Sequence, residues 1–254
     1  MDWKEKLTIS PLYDWFGKRS YAQSGEDLIA CGELGGDRSQ KRRGGKGFYV
    51  DVGAYHPKLF SNTYLFYKKG WRGICVDPNP QMEELYRKAR PRDVFVNMGV
   101  GGVKENKNSR NQELKTIKGE SQRTKEEGRV MEYFMFEDGA ANTFSPEQAI
   151  INQKVGRKLL GKQMVPLVPL KKILDKYLPR GQKIDLLSVD VEGMDLEVLK
   201  SNDWKKYRPR LVICEDLEFD LREWKKSKVV ECLDSLGYML KAITPYSLIF
   251  LLNE

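Results

Sequence analysis

Short apolar runs and mixed polar stretches alternate along this chain, and their spacing predicts strands separated by helices. Residues 47–51, Gly-Phe-Tyr-Val-Asp, form a β-type run that closes on Asp51, with Gly53 just beyond it. A second run, 73–77, closes on Asp77 and is stopped by Pro78 and Pro80. Residues 94–100 read as a third strand ended by Gly101 and Gly102, and 130–136 alternate as a half-buried strand does. A further strand-like run covers 165–170. Residues 184–190 and 211–215 are continuous apolar runs ending in Asp190 and Glu215. Helical patterns fill the intervals. One begins near Ser61 or Asn62 with Gly70 as its C-cap, and others span 82–89, 173–178, 194–200 and 229–236. Ser24 and Asp27 have the S-x-x-D spacing of a helix cap. Residues 238–243 and 247–252 form a terminal strand pair.

Continuous apolar strands alternating with helices predict a mainly parallel sheet covered on both faces. The last two strands are joined too closely for a parallel crossover, so one of them runs antiparallel. Residues 103–129 are rich in Lys, Glu, Asn and Gln and nearly without apolar residues, which predicts a polar surface insertion.

Composition narrows the class. The 254 residues suffice for one α/β domain, expected over 20–254 behind an N-terminal extension of 1–19. The net charge of +8 favours anionic partners, with plain solubility as the competing reading. The four cysteines are scattered without C-x-x-C spacing, so neither a zinc site nor a disulfide framework is indicated. No run approaches the roughly 18–20 apolar residues of a membrane span, and the first residues lack an apolar signal core. The expectation is a soluble cytoplasmic protein. The absence of G-x-G-x-x-G argues against a nicotinamide dehydrogenase.

Candidate chemistry gathers at the strand ends. Asp51, Asp77, Asp190 and Glu215 each close a predicted strand, and open α/β sheets bind ligands beyond the carboxyl ends of their strands. Asp77 follows Asp51 by 26 positions (77 − 51), close to the spacing of a ribose-binding acid after a nucleotide turn. The competing reading makes one or two of these acids N-caps of the following helices. Glu192 also reads as a helix N-terminal acid. His56, the only histidine, is either an active-site base or a turn residue bonded to backbone.

The ordered set Gln23-Ser-Gly-Glu-Asp27, Phe48-Tyr-Val-Asp-Val-Gly-Ala54, Pro57, Ser61-Asn-Thr63, Gly70-Trp-Arg-Gly73, Val76-Asp-Pro-Asn-Pro80, Arg92-Asp93, Asn142-Thr143, Val189-Asp-Val-Glu-Gly193 and Arg208-Pro209 resembles the FkbM-type methyltransferases over most of 20–252. The resemblance implies a class I fold, a doubly wound, mostly parallel seven-stranded sheet with an antiparallel last strand. It implies S-adenosylmethionine as cofactor and methyl transfer to oxygen. The acceptor it implies is a sugar or glycan hydroxyl, free, nucleotide-linked or lipid-linked. Carried over, Asp51, Gly53 and Ala54 belong to the first cofactor motif. Asp77, followed by Pro78, would hold the ribose hydroxyls, and Asn97, Met98 and Gly99 would lie near the adenine. Asp190 and Glu192 would face the reacting methyl. Many class I enzymes have further glycines after the first strand where this chain reads Asp-Val-Gly-Ala-Tyr-His-Pro. Ser61, Asn62, Gln23 and Glu26 would then supply the missing contacts.

A sugar hydroxyl needs a base or a metal to take its proton. The favoured reading makes Asp190 or His56 the base, with Glu192 and Glu215 orienting the sugar. A divalent metal, Mg²⁺ or Mn²⁺, on Asp190, Glu192 and Glu215 is the less favoured alternative. Two other classes compete. A nucleic-acid 2′-O-methyltransferase would need a contiguous basic groove, whereas the basic residues here are dispersed among acids. A non-catalytic binding protein on the same fold would have lost Asp51 and Asp77, and both are present.

Overall fold

The computed structural model describes residues 19–34, 47–102 and 129–253. The polar insertion expected over 103–129 and the extension expected over 1–19 lie outside the described residues, apart from Arg129 and Arg19. The chain builds a seven-stranded sheet from β1 (Phe48–Val52), β2 (Arg72–Val76), β3 (Val94–Val96), β7 (Leu186–Val189), β8 (Leu211–Glu215), β9 (Tyr238–Ile243) and β10 (Ser247–Leu252). Their order is β3-β2-β1-β7-β8-β10-β9. The pairs among β3, β2, β1, β7 and β8 are parallel, and β10 runs antiparallel to both its neighbours. This is the expected doubly wound α/β arrangement.

All five residues of β1 are buried, because both sheet faces are covered. Phe48, Val50 and Val52 join one core with Leu170, Ile173 and Leu174 of α5 (Leu170–Tyr177), Val198 and Leu199 of α6 (Asp195–Lys200), and Val229 and Leu233 of α7 (Lys228–Ser235). Tyr49 joins the other core with Ala30 of α1 (Glu26–Glu33), Phe66 of α2 (Tyr64–Lys68), and Met82 and Tyr86 of α3 (Met82–Ala89). Among the described residues, no helix is long and apolar enough to cross a membrane.

A second, three-stranded sheet, β4-β6-β5, departs from expectation. The run 94–100 is not one strand. It breaks at Asn97, and Gly99–Val100 becomes β4, which pairs with β6 (Leu159–Val168) instead of with β2. β5 (Val130–Phe136) pairs antiparallel with β6. Helix α4 (Pro146–Lys154) follows β5, with Pro146 in its first turn and the Ser145 hydroxyl accepting from the Gln148 amide at 3.1 Å. The S-x-x-D cap is also corrected. Gly25 precedes α1 without a side-chain cap, and Asp27 instead accepts from the Ser20 hydroxyl at 2.6 Å and the Tyr21 amide at 2.8 Å.

Arg90 lies in the turn between α3 and β3 and is fully buried. Its Nε donates to Asp93 at 2.6 Å, and its terminal nitrogens donate to the Thr63 hydroxyl at 2.9 Å and, at 3.3 Å, to the Pro57 carbonyl and the Ser61 hydroxyl. The rings of Tyr49, Tyr67 and Tyr86 surround the guanidinium at 5.2–5.4 Å. Asp93 also accepts from the Tyr49 hydroxyl at 2.7 Å and the Gly73 amide at 2.9 Å. Removing one member strands the other charge in a dry interior. Arg90→Ala and Asp93→Ala should therefore each lower stability by about 3–5 kcal/mol. The pair Arg90→Met with Asp93→Leu should recover part of that loss, both read from denaturant midpoints.

Candidate active site

Parallel strands bring their carboxyl ends to one edge, and the strand order reverses between β1 and β7. That reversal opens a crevice where such sheets hold ligands. Gly53 follows β1, Asp77 follows β2 and Asp190 follows β7, so all three stand on this edge. A cleft of about 70 Å³ lies there, lined by the expected Gln23, Gly53, Asp77, Pro78, Asp190 and Glu192. The small sheet and the segment after it add Tyr133, Asn142 and Phe144, and the loop after β1 adds Tyr55 and Phe60. None of these five was among the residues expected to line the site. Tyr55, Phe60 and Glu192 have positive φ (42°, 53° and 53°), and all three line this cleft. Non-glycine residues seldom adopt this conformation, so the strain is concentrated at the site.

Gly53 is held by backbone packing. Its φ is +77°, and a Cβ there would lie 1.6 Å from the Asp190 carbonyl oxygen. The amides of Gly53 and Ala54 both donate to the Val76 carbonyl, at 2.9 and 3.1 Å. Asp77 is buried, and each of its carboxylate oxygens accepts one amide, from Tyr55 at 2.9 Å and Asn79 at 2.8 Å. Burial nevertheless pushes its carboxyl up to about 6.

Four acids crowd the β7 and β8 ends. Asp190, Glu192 and Glu215 each bring one carboxylate oxygen within 4.8 Å of the others. Asp195, at the start of α6, accepts from the Val191 and Gly193 amides at 3.0 and 3.2 Å and so closes the loop that carries Asp190 and Glu192. Thr143 donates to the Glu192 carbonyl at 2.7 Å, tying that loop to the small sheet. Burial first, then repulsion from Asp51 and Glu26, raises Asp190 to about 7, and burial followed by repulsion from Asp190 raises Glu192 and Asp195 to about 8. Glu215 rises furthest, to about 11. It is 5% exposed, and its Oε2 has no hydrogen-bond partner. Beyond the cluster lies a larger cleft of about 480 Å³, reached from Asp195 and Glu215. Its lining is strongly acidic: Glu147, Asp216, Glu218, Asp220 and Glu223 outnumber Lys226 and Lys228.

Other expected residues sit elsewhere. Asp51 lies inside β1, with its carboxylate accepting a short bond from the Thr63 hydroxyl beneath the cleft. Ser61 accepts from the Thr63 and Tyr64 amides, and Asn62 donates to the Ser188 hydroxyl at 3.1 Å. Glu26 is tied to the Ser24 amide and the Thr244 hydroxyl at 2.8 and 2.7 Å. Asn97 supports Asp77 by donating to its carbonyl at 2.9 Å. Met98 packs against the core, and Gly99 lies in β4 against Leu167 and Phe144. These groups frame the cleft without lining it, because interior partners use their polar atoms or packing surfaces. Ala54 is similar: its carbonyl accepts from Tyr86 at 2.9 Å. His56 bonds to backbone within its own turn. Its Nδ1 accepts from the Lys58 and Leu59 amides at 3.1 and 3.0 Å, and burial and Lys58 lower its pKa.

A family model described as the methyltransferase FkbM domain matches residues 51–241. No curated protein and no solved structure matches the chain.

The raised Glu215 carboxyl predicts an unusual pH dependence. Its reference value is 4.5, so between there and its folded value the folded chain binds more protons than the unfolded one. Stability is therefore lost as pH rises. In chelator-treated protein, Glu215→Gln should raise stability near neutral pH by about 1–3 kcal/mol. The advantage should vanish by about pH 4, where the carboxyl is protonated in both states. Denaturant titrations at a series of pH values check this.

Proposed function

We propose, since the chain belongs to the FkbM methyltransferase family, that this methyltransferase carries a methyl group from S-adenosylmethionine to a hydroxyl of a sugar or glycan. The observation that carries the reading is the adjacency of two unlike clefts across one acid cluster. The smaller has the ribose-type acid Asp77 and aromatic walls, and the larger is roomier and lined by carboxylates.

The donor set of the smaller cleft suits the cofactor. Asp77 has acceptor capacity left for ribose hydroxyls after its two amide bonds, and Tyr133 and Phe144 offer flat apolar faces. The free volume of about 70 Å³ is small beside the roughly 300–1,000 Å³ of most small-molecule sites. Entry therefore requires the rim to move, and the strained, exposed Phe60 is the rim residue with least to lose. When bound, the cofactor supplies an electrophilic methyl on a sulfonium. The acidic cluster and nearby rings favour that cation.

The chain's own residues supply the rest. Asp190 would take the hydroxyl proton at a carboxylate oxygen as the methyl passes from sulfur to the acceptor oxygen, the sulfur–methyl bond breaking and the cofactor leaving as a neutral thioether. Its carboxyl, raised to about 7, is matched to that task near neutral pH. Glu192 and Glu215 accept neighbouring hydroxyls and orient the ring. The acidic lining of the larger cleft supports a neutral or cationic acceptor over a phosphate-rich one, which argues against nucleic acid.

Two outcomes follow. Asp190→Asn should lower kcat by roughly 10²–10⁴-fold, with a much smaller loss of cofactor affinity. Wild-type turnover in that variant removes Asp190 as base, and a mass-spectrometric search for a one-methyl gain on host glycans tests the acceptor class. Cofactor affinity should weaken as pH falls through about 6, because the acceptor form of Asp77 is the ionised one. Asp77→Asn should abolish that pH dependence, measured by calorimetry.

A further inference from the structure

We propose that Asp190, Glu192 and Glu215 form a binding site for one divalent cation that prefers hard oxygen ligands. Each residue brings a carboxylate oxygen into a common space, all within 4.8 Å of one another. Opposite oxygens around a cation lie two metal–oxygen distances apart, roughly 4.0–4.2 Å for Mg²⁺ and 4.6–5.2 Å for Ca²⁺. Three oxygens all within 4.8 Å of one another therefore fit the span of one such cation, and that limit does not choose between the two ions.

The second observation is independent of the clustering. Glu215 is 5% exposed, yet its Oε2 meets neither a donor nor a cation. Buried carboxylate oxygens are almost always answered, and leaving one unanswered costs stability. Among the described residues, no Lys or Arg forms an ion pair with any of the three acids. Asp195 does not complete the set, because its oxygens accept the Val191 and Gly193 amides. It holds the loop in place behind the ligands. Imidazole and thiolate are both absent from the group, so the donors are oxygen only, which suits Mg²⁺, Mn²⁺ or Ca²⁺ over zinc or copper.

The site sits where it would matter to the proposed reaction. Glu215 also lines the larger cleft, so an acceptor hydroxyl entering there could become a further ligand. A cation would lower that hydroxyl's pKa, and the second carboxylate oxygen of Asp190 would still accept the proton. This consequence rests on the methyl-transfer reading; cation binding does not.

The test is direct binding to the full chain. Chelator-stripped protein is titrated with Mn²⁺ and followed by electron paramagnetic resonance of the free ion, with Mg²⁺ and Ca²⁺ as competitors. The expected result is one Mn²⁺ per chain, displaced by either competitor, with a rise in melting temperature on binding. Glu215→Gln and the more accessible Glu192→Gln should each weaken Mn²⁺ at least about tenfold and lose the thermal shift. The exposed Glu231→Gln should match wild type. Absence of stoichiometric Mn²⁺ binding near pH 8 overturns the proposal, as does unchanged affinity in both cluster variants. If Mn²⁺ binds but activity survives its removal, the cation site stands and its part in methyl transfer falls.

Discussion

A guanidinium without water organises the site side of this molecule. Taking Arg90 out of solvent is costly, and a buried ion pair alone seldom returns more than it costs. What Arg90 contributes is position. Its donors are spread over the α3–β3 turn, the Pro57 carbonyl and the hydroxyls of Ser61 and Thr63, while Asp93 reaches back to β1 and β2. The loop after β1 is thus pinned from inside at several points. Only a loop held this way can keep Tyr55 and Phe60 at positive φ. Thr63 passes the connection on to Asp51, which lies under the crevice as a buried strut.

Charge is distributed in opposition to the chain's overall balance. The protein carries +8, yet its crevice edge gathers carboxylates from β2, β7, β8 and α6. Dispersed surface lysines set the total, whereas strand polarity sets the local field. Net charge therefore says little about what enters the clefts, and a reading of partners from it alone would have pointed toward anions. Crowded acids must resolve their repulsion by holding protons or by gathering around a cation, and the cofactor's own positive charge would ease it further.

The parts of the fold most plainly legible in the sequence are those buried on both faces, with the half-exposed β5 and β9 legible as well. β1, β2, β7, β8 and β10 read as apolar runs because neither side of them meets water. The small sheet was legible only in part: β5 showed its alternation and the run at 165–170 caught the end of β6, while the rest was hidden for the converse reason. β6 is largely exposed and mixes Gly161, Lys162 and Gln163 with apolar residues, so neither period stands out. The break at Asn97 was invisible because Val94-Phe-Val-Asn-Met-Gly-Val100 is apolar enough to pass as one strand. Strand ends announced Asp77, Asp190 and Glu215, whereas Tyr133 sits in mid-strand in β5, and Asn142 and Phe144 follow that strand, away from any strand end. Asp195 stands in the first turn of the helix expected over 194–200, and that position was the available clue. Arg90 lay in Ala-Arg-Pro-Arg-Asp, a string that looks like a solvated turn until its burial is seen.

Gly53 carries one more implication. Because its α-carbon abuts the Asp190 carbonyl, the loops after β1 and β7 share a single contact with no slack. Loss of function on substituting Gly53 would accordingly report a displaced Asp190 as readily as a damaged cofactor contact. The two sequence segments, more than a hundred residues apart, behave as one mechanical part and can vary only together.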